Sequence, residues 1–265
     1  MNKIIGKVAI LGAGNIGLSI AEGIFSSITG QKIILTRKTK SFSKKERERF
    51  KCTINNQEAV LASEILIIAV QPKQARDLLL QIKKFLNKKH LLVSVVSGMS
   101  IDEIEKLVGK MPIVRVMPNT AIRIGQSMTC IAFNDTGKKY RDLVEDIFGS
   151  VGSTLLIPET KFAEATVVCG SGTALALRFI RDYMQACIQH GFDGKDSLKI
   201  ASQVLKGAAS ITQDNRNHPE VEIDKVTTPG GCTIEALAEM EHAGFSSALL
   251  RVIKVGVEKA KKLYS

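Results

Sequence analysis

The feature that most constrains this chain is Gly12-Ala13-Gly14-Asn15-Ile16-Gly17. These three glycines sit between an apolar run, Lys7–Leu11, and the helical pattern LSIAEGIF. The spacing alone is a weak signal, but a strand before it and a helix after it give it physical meaning. Gly12 permits a tight turn. Gly14 has no Cβ, so the backbone can approach an anion, and Gly17 lets the helix pack close to the strand. The exposed N–H groups and dipole of the helix N-terminus then favour a pyrophosphate.

The surrounding pattern is α/β. Apolar runs at Lys7–Leu11, Lys32–Thr36, Ile65–Val70, Leu91–Val95, Ile113–Met117, Ser127–Phe133 and Thr154–Ile157 alternate with helical patterns. Those helices fall at Asn15–Ile28, Gln57–Ala62, Lys73–Leu86, Ile101–Val108 and Gly137–Gly149. Ile- and Val-rich runs with few charges predict strands covered on both faces, hence a doubly wound, Rossmann-type sheet. After Pro158 the strand pattern stops. Helices are predicted over 159–168, 172–190, 194–213 and 233–264, the last broken near Gly244. This gives a dinucleotide-binding domain, 1–158, and an all-helical domain, 159–265. Ala174, Leu175, Ala176, Leu177, Phe179 and Ile180 lie almost in sequence. Such a helix is buried within its domain or against a second subunit.

Charge is distributed unevenly. The net charge is +11, yet residues 1–110 hold 19 Lys/Arg against 9 Asp/Glu, and the remainder 18 against 17. The densest stretch is Arg37–Lys51, with 8 basic and 2 acidic residues, just after the second predicted strand. An NAD site usually places a carboxylate at that strand end. Here Thr36, Arg37 and Lys38 stand there instead, suited to a 2′-phosphate, with the guanidinium binding in bidentate fashion. The expected cofactor is therefore NADPH, with NADH as a second option, and the rest of the run is a solvated loop and helix face.

Other classes are disfavoured. The chain has no Trp and 5% aromatics, a poor supply of base-stacking platforms, so nucleic acid is not the expected partner. The apolar runs fall short of the ~20 residues of a bilayer span. Cys52, Cys130, Cys169, Cys187 and Cys232 form no CxxC, and the four histidines are scattered, so no metal site is expected. The N-terminus lacks a signal-peptide pattern, and the expected setting is the cytoplasm.

Asp224–Glu235 reads DKVTTPGGCTIE, preceded by Lys206-Gly207-Ala208-Ala209, Asn217-His218-Pro219 and, at Glu164–Ala174, EATVVCGSGTA. The first domain holds Ala69-Val70-Gln71-Pro72 and, at Val114–Thr120, VRVMPNT. In order and spacing these motifs resemble the pyrroline-5-carboxylate reductase family from Gly12 to about residue 255. The resemblance implies NAD(P)H-dependent reduction of 1-pyrroline-5-carboxylate to L-proline. It also implies a helical C-terminal dimerisation domain, a homodimer or higher oligomer, and an active site at the dimer interface. By the same resemblance Leu11 to Ile16 hold the pyrophosphate, and Thr36, Arg37, Lys38 and Asn56 the adenosine end. Ala69, Val70, Gln71, Pro72, Val95, Val96, Ser97 and Asn119 line the cofactor. Glu159, Gly230, Gly231, Cys232 and Thr233 hold the substrate.

The last block makes chemical sense independently. Free N–H groups after Gly230-Gly231 can bind the substrate carboxylate, and the Thr233 hydroxyl can face the ring nitrogen. Thr233 would serve equally as a helix N-cap, and Ser171 of Gly170-Ser171-Gly172 as another. Departures from the family pattern are Gln71 for Lys, Thr173 and Leu175 for Pro and Tyr, Ala121 for Pro, and Arg216 for an acidic residue. A paralogous reductase of another cyclic imino acid stays open, Gln71 and Arg216 keep open a non-catalytic NADP-binding regulator, and the basic charge alone keeps open a nucleic-acid binder.

Overall fold

A computed structural model describes residues 6–27, 32–38, 41–215 and 217–264. Ile28, Thr39, Lys40 and Arg216 therefore lie outside the described residues. The strands are β1 (Val8–Leu11), β2 (Ile33–Thr36), β3 (Lys51–Thr53), β4 (Ile65–Ile68), β5 (Leu91–Ser94), β6 (Ile113–Met117), β7 (Ser127–Phe133) and β8 (Gly152–Leu156). Between them run α1 (Asn15–Ser27), α2 (Lys44–Arg49), α3 (Asn56–Leu61), α4 (Pro72–Ile82), α5 (Ile101–Val108) and α6 (Arg141–Gly149). The chain then continues as α7 (Phe162–Ala165), α8 (Gly172–Gln189), α9 (Gly194–Asn215), α10 (Pro219–Asp224), α11 (Cys232–His242) and α12 (Phe245–Tyr264).

Packing divides the chain into two units. One runs to Ser171 and takes in the end of α12 from Val257; the other is Gly172–Gly256. In the first unit, the Lys261 ammonium pairs with Glu164 at 3.0 Å.

The sheet of the first unit has the order β3-β2-β1-β4-β5-β6-β7-β8. All neighbours are parallel except β6 and β7. Alternate residues of β1 show why it is buried on both faces. Val8 and Ile10 join the cluster that includes Ile20 and Ile24 of α1 and Phe148 of α6. Ala9 and Leu11 join Leu79 and Ile82 of α4 and Ile104 of α5. The order reverses between β1 and β4, which leaves a crevice at their carboxyl ends.

Three elements lay hidden in the sequence. The basic run contains α2, whose Ser43 and Glu46 form a reciprocal capping box. It also leads into β3, a three-residue edge strand with no apolar signature. α10 starts with His218 as its cap and Pro219 at the first helical position, so a segment read as a break is a helix turn. β8 begins earlier than predicted because its first residue is a glycine. A Cβ on Gly152 would collide with the Ser127 backbone.

Ser171 does not cap a new helix. Residues 166–171 form a π-helical segment, with helical states on either side from Glu159 to Gln189. π segments of this kind occur frequently at functional sites.

In the second unit, α8 and α9 pack on each other. Thr228-Pro229-Gly230-Gly231 forms a tight turn. The Gly231 N–H donates to the Thr228 carbonyl at 3.0 Å, and Gly230 has φ +65°. Pro followed by a positive-φ glycine is the pattern of a type II turn. A Cβ on Gly231 would lie 2.5 Å from the Thr228 hydroxyl.

The close seating of α1 is testable. A Cβ on Gly17 would stand 2.7 Å from the Gly12 carbonyl and 3.2 Å from Ala69 Cβ. Gly17→Ala is expected to cost about 1–3 kcal/mol in urea denaturation, as overpacking against fixed backbone does.

Candidate active site

A cavity lies at the switch point. It measures about 1010 Å³ and is lined by Gly12, Ala13, Gly14, Asn15, Thr36, Arg37, Lys38, Asn56, Ala69, Val70 and Gln71. Its size is at the upper end of the roughly 300–1,000 Å³ usual for small-molecule sites. Gly12 has φ +95°, and a Cβ there would meet Val70 Cγ1 at 2.5 Å. A Cβ on Gly14 would meet no atom of the chain within 4 Å, so the space over this residue is open. The loop is tied to β2: Gly12 and Ala13 N–H groups donate to the Thr36 carbonyl at 3.2 and 2.8 Å. This arrangement suits a dinucleotide. The turn requires glycine, the space above it is clear, and the first N–H groups of α1 have no partner within the helix.

Further residues complete the wall. Gln74, Asp77 and Gln81 of α4 line it at one-face helical spacing, and Asn56 donates to Gln81 at 3.3 Å. Ser41, Ser43 and Glu46 line it near the end of β2. Helical periodicity after Pro72 and the S-x-x-E capping signature were the sequence signals for these two groups.

Arg37 does not present a free fork. Its Nε donates to the Ala13 carbonyl at 2.8 Å and its Nη1 to the Ser41 carbonyl at 3.2 Å. Nη2 pairs with Glu46 Oε1 at 2.7 Å. Its face covers the Phe42 ring at 4.7 Å. The bidentate grip expected on a phosphate is in this structure a grip on the chain itself. Lys38 stands exposed at the cavity. Elsewhere in the basic run, Lys44, Arg49 and Lys51 pair with Glu48, Glu22 and Glu58.

Other candidates of the first unit are not among the residues that line this cavity. Leu11, Val95 and Val96 are core residues, Ile16 is surface, and Ser97 is half-buried just beyond β5. Pro72 opens α4 behind its Gln71 cap. Asn119 is buried; its Oδ1 accepts from the Ala121 N–H, and its Nδ2 donates to the Cys169 carbonyl in the π segment. Beside it, Cys130 and Cys169 sulfurs are 3.3 Å apart, and burial pushes the Cys130 thiol up to about 12, so it stays protonated.

Glu159 accepts from buried Arg115 at 3.0 Å and from the Ile101 N–H at 2.7 Å, joining β6 to the start of α5. This gives it a structural role that the sequence did not suggest. In the second unit Gly231, not Thr233, is the N-cap of α11, and no side chain caps that end. Cys232 and Thr233 occupy its first turn, so their N–H groups have no intrahelical partner.

These features define the class of doubly wound, dinucleotide-binding oxidoreductases. Residues 7–98 match the family described as NADP oxidoreductase, coenzyme F420-dependent. Residues 159–263 match pyrroline-5-carboxylate reductase dimerisation. Pyrroline-5-carboxylate reductases 1 and 2 of Dictyostelium discoideum are each 41% identical over 97% of this chain; the chain spans 50% of the first and 92% of the second. A Plasmodium falciparum pyrroline carboxylate reductase crystallised with NADP is 28% identical, with TM-score 0.85 and full coverage of both chains. The chain belongs to the pyrroline-5-carboxylate reductase family.

Two stability outcomes follow from the ion pairs. Hydrogen bonds from Arg37 hold the Glu46 carboxyl down at about 2, below its ordinary 4.5. Because the folded value is depressed, the stabilisation is whole above about pH 5 and is lost as pH falls toward 2, for up to about 3 kcal/mol. Urea denaturation from pH 6 to pH 2.5 should show this loss in the wild type and a flatter profile in Glu46→Gln. Arg115→Ala leaves Glu159 without its cation and is expected to cost about 3 kcal/mol in the same assay.

Proposed function

We propose that the chain reduces the cyclic imine 1-pyrroline-5-carboxylate to L-proline, using NADPH with NADH as a second cofactor. The observation that carries this reading is family membership along 97% of the chain. The turn Thr228–Gly231 and the uncapped start of α11 supply the matching chemistry.

Bound at the crevice, the cofactor supplies hydride from its nicotinamide ring. The loop Gly12–Asn15 and the start of α1 hold the pyrophosphate, and Lys38 attracts the adenosine-side phosphate. In the second unit the N–H groups of Cys232 and Thr233 bind the substrate carboxylate. The Thr233 hydroxyl, not used as a cap, orients the ring nitrogen. An iminium carbon is already electrophilic, so the chain needs to orient it rather than activate it with a strong acid.

Self-association belongs to the same reading. No residue of α8 is buried among the described residues, and Leu177, Leu250 and Val255 are each more than 60% exposed. The helical segment Glu159–Gln189 is also long and apolar enough, by composition, to cross a membrane. A subunit interface explains its apolar surface better, because Glu159 and Glu164 at its start are ion-paired with Arg115 and Lys261. We place the homo-oligomer in the cytoplasm, in keeping with five free thiols among the described residues.

The test is cofactor oxidation with saturating pyrroline carboxylate, run with NADPH and with NADH. No imine-dependent oxidation by either would overturn the assignment, and faster turnover of a six-membered ring would redirect it. Thr233→Ala should lower kcat/KM by roughly 10- to 100-fold, the worth of a hydrogen bond to a charged group. Wild-type kinetics in that variant would remove its role.

A further inference from the structure

The cavity wall near the end of β2 carries an opposing charge that the basic run conceals. Glu46 lines the cavity beside Thr36, Arg37 and Lys38. Its Oε1 accepts from Arg37 Nη2 at 2.7 Å, and its Oε2 accepts from the Ser43 N–H at 2.5 Å and from Arg37 Nη1 at 3.5 Å. Both side chains are only 11% exposed. The other donors of Arg37 reach the carbonyls of Ala13 and Ser41, and its face rests on Phe42. The guanidinium is therefore held edge and face by the chain.

A dinucleotide on the glycine loop places its adenosine ribose at the end of the second strand, which here is Thr36. A carboxylate in this region favours an unmodified ribose and repels a 2′-phosphate. We propose that Glu46 sets the chain's discrimination between NADPH and NADH. It keeps that discrimination below what two cations would give, by engaging Arg37 and by holding a carboxylate at the ribose end. Lys38 is then the cation that reads the 2′-phosphate. This inference rests on the cofactor role proposed for the cavity, and it makes Glu46 a specificity residue rather than a structural cap alone.

The experiment is calorimetric measurement of Kd for NADP+ and for NAD+ on the full chain, with no turnover involved. Glu46→Gln retains an oxygen to accept the Ser43 N–H. It should tighten NADP+ by about tenfold, the effect of relieving roughly 1.4 kcal/mol of repulsion, with NAD+ changed less than about twofold. Lys38→Ala should weaken NADP+ by about tenfold and leave NAD+ nearly unchanged. An unchanged NADP+/NAD+ ratio in Glu46→Gln would overturn the proposal. So would a selective loss of NADP+ in that variant, which would mean that Glu46 aims Arg37 at the phosphate.

Should Glu46→Gln fail to fold, the double variant Arg37→Gln/Glu46→Gln removes the pair as a unit. It is expected to keep at least the wild-type preference for NADP+, and a lower preference would overturn the proposal equally. Wild-type protein that binds neither nucleotide would instead remove the cofactor reading on which the inference rests.

Discussion

The closeness of α1 to the sheet governs the first unit. Neither Gly12 nor Gly17 has room for a side chain, since Ala69, Val70 and the Gly12 carbonyl occupy that space. Because the helix begins in contact with the strand ends, its first N–H groups open onto the gap where the strand order reverses. The same contact brings the end of β4 against the loop, so Ala69 and Val70 line the cavity. A Cβ at either position would meet backbone atoms closer than 3.0 Å, so the contact between helix and sheet would have to shift.

Most of the fold was legible because two-faced burial leaves a clear trace. β6, β7 and α5 match their predicted bounds: β6 runs between Pro112 and Pro118, β7 between Gln126 and Asn134, and α5 from its Ser100 cap to Gly109. The elements that escaped have the opposite character. α2 and β3 lie in a run of charge, and their order comes from ion pairs and a capping box rather than from apolar periodicity. The antiparallel pairing of β7 with β6 was not legible either. Strand direction depends on how the chain returns through Thr120–Ile124 and Gly125, not on the composition of the strands.

The site was legible as a set of positions more than as a set of roles. The glycine loop, the end of β2 and Ala69 to Gln71 converge on one cavity, as their spacing around a doubly wound sheet requires. Roles depend on partners far away in sequence. Arg37, expected at the phosphate, lines the cavity while Glu46 and the Ala13 carbonyl hold its guanidinium. Glu159, expected at the substrate, also holds Arg115 and the Ile101 N–H, partners that its sequence neighbours do not reveal. Thr233 moved the other way, because Gly231 takes the cap position and leaves the hydroxyl for other use.

The exposed apolar side chains of α8, α9 and α12 have a thermodynamic consequence for the chain as a whole. A unit that leaves Leu177, Leu198, Val204, Leu250 and Val255 in water buries too little apolar surface to be well stabilised alone. Association that covers them contributes directly to the folding free energy, so mass action enters the stability. The melting temperature then rises with protein concentration, and dilution acts on this protein as a mild denaturant.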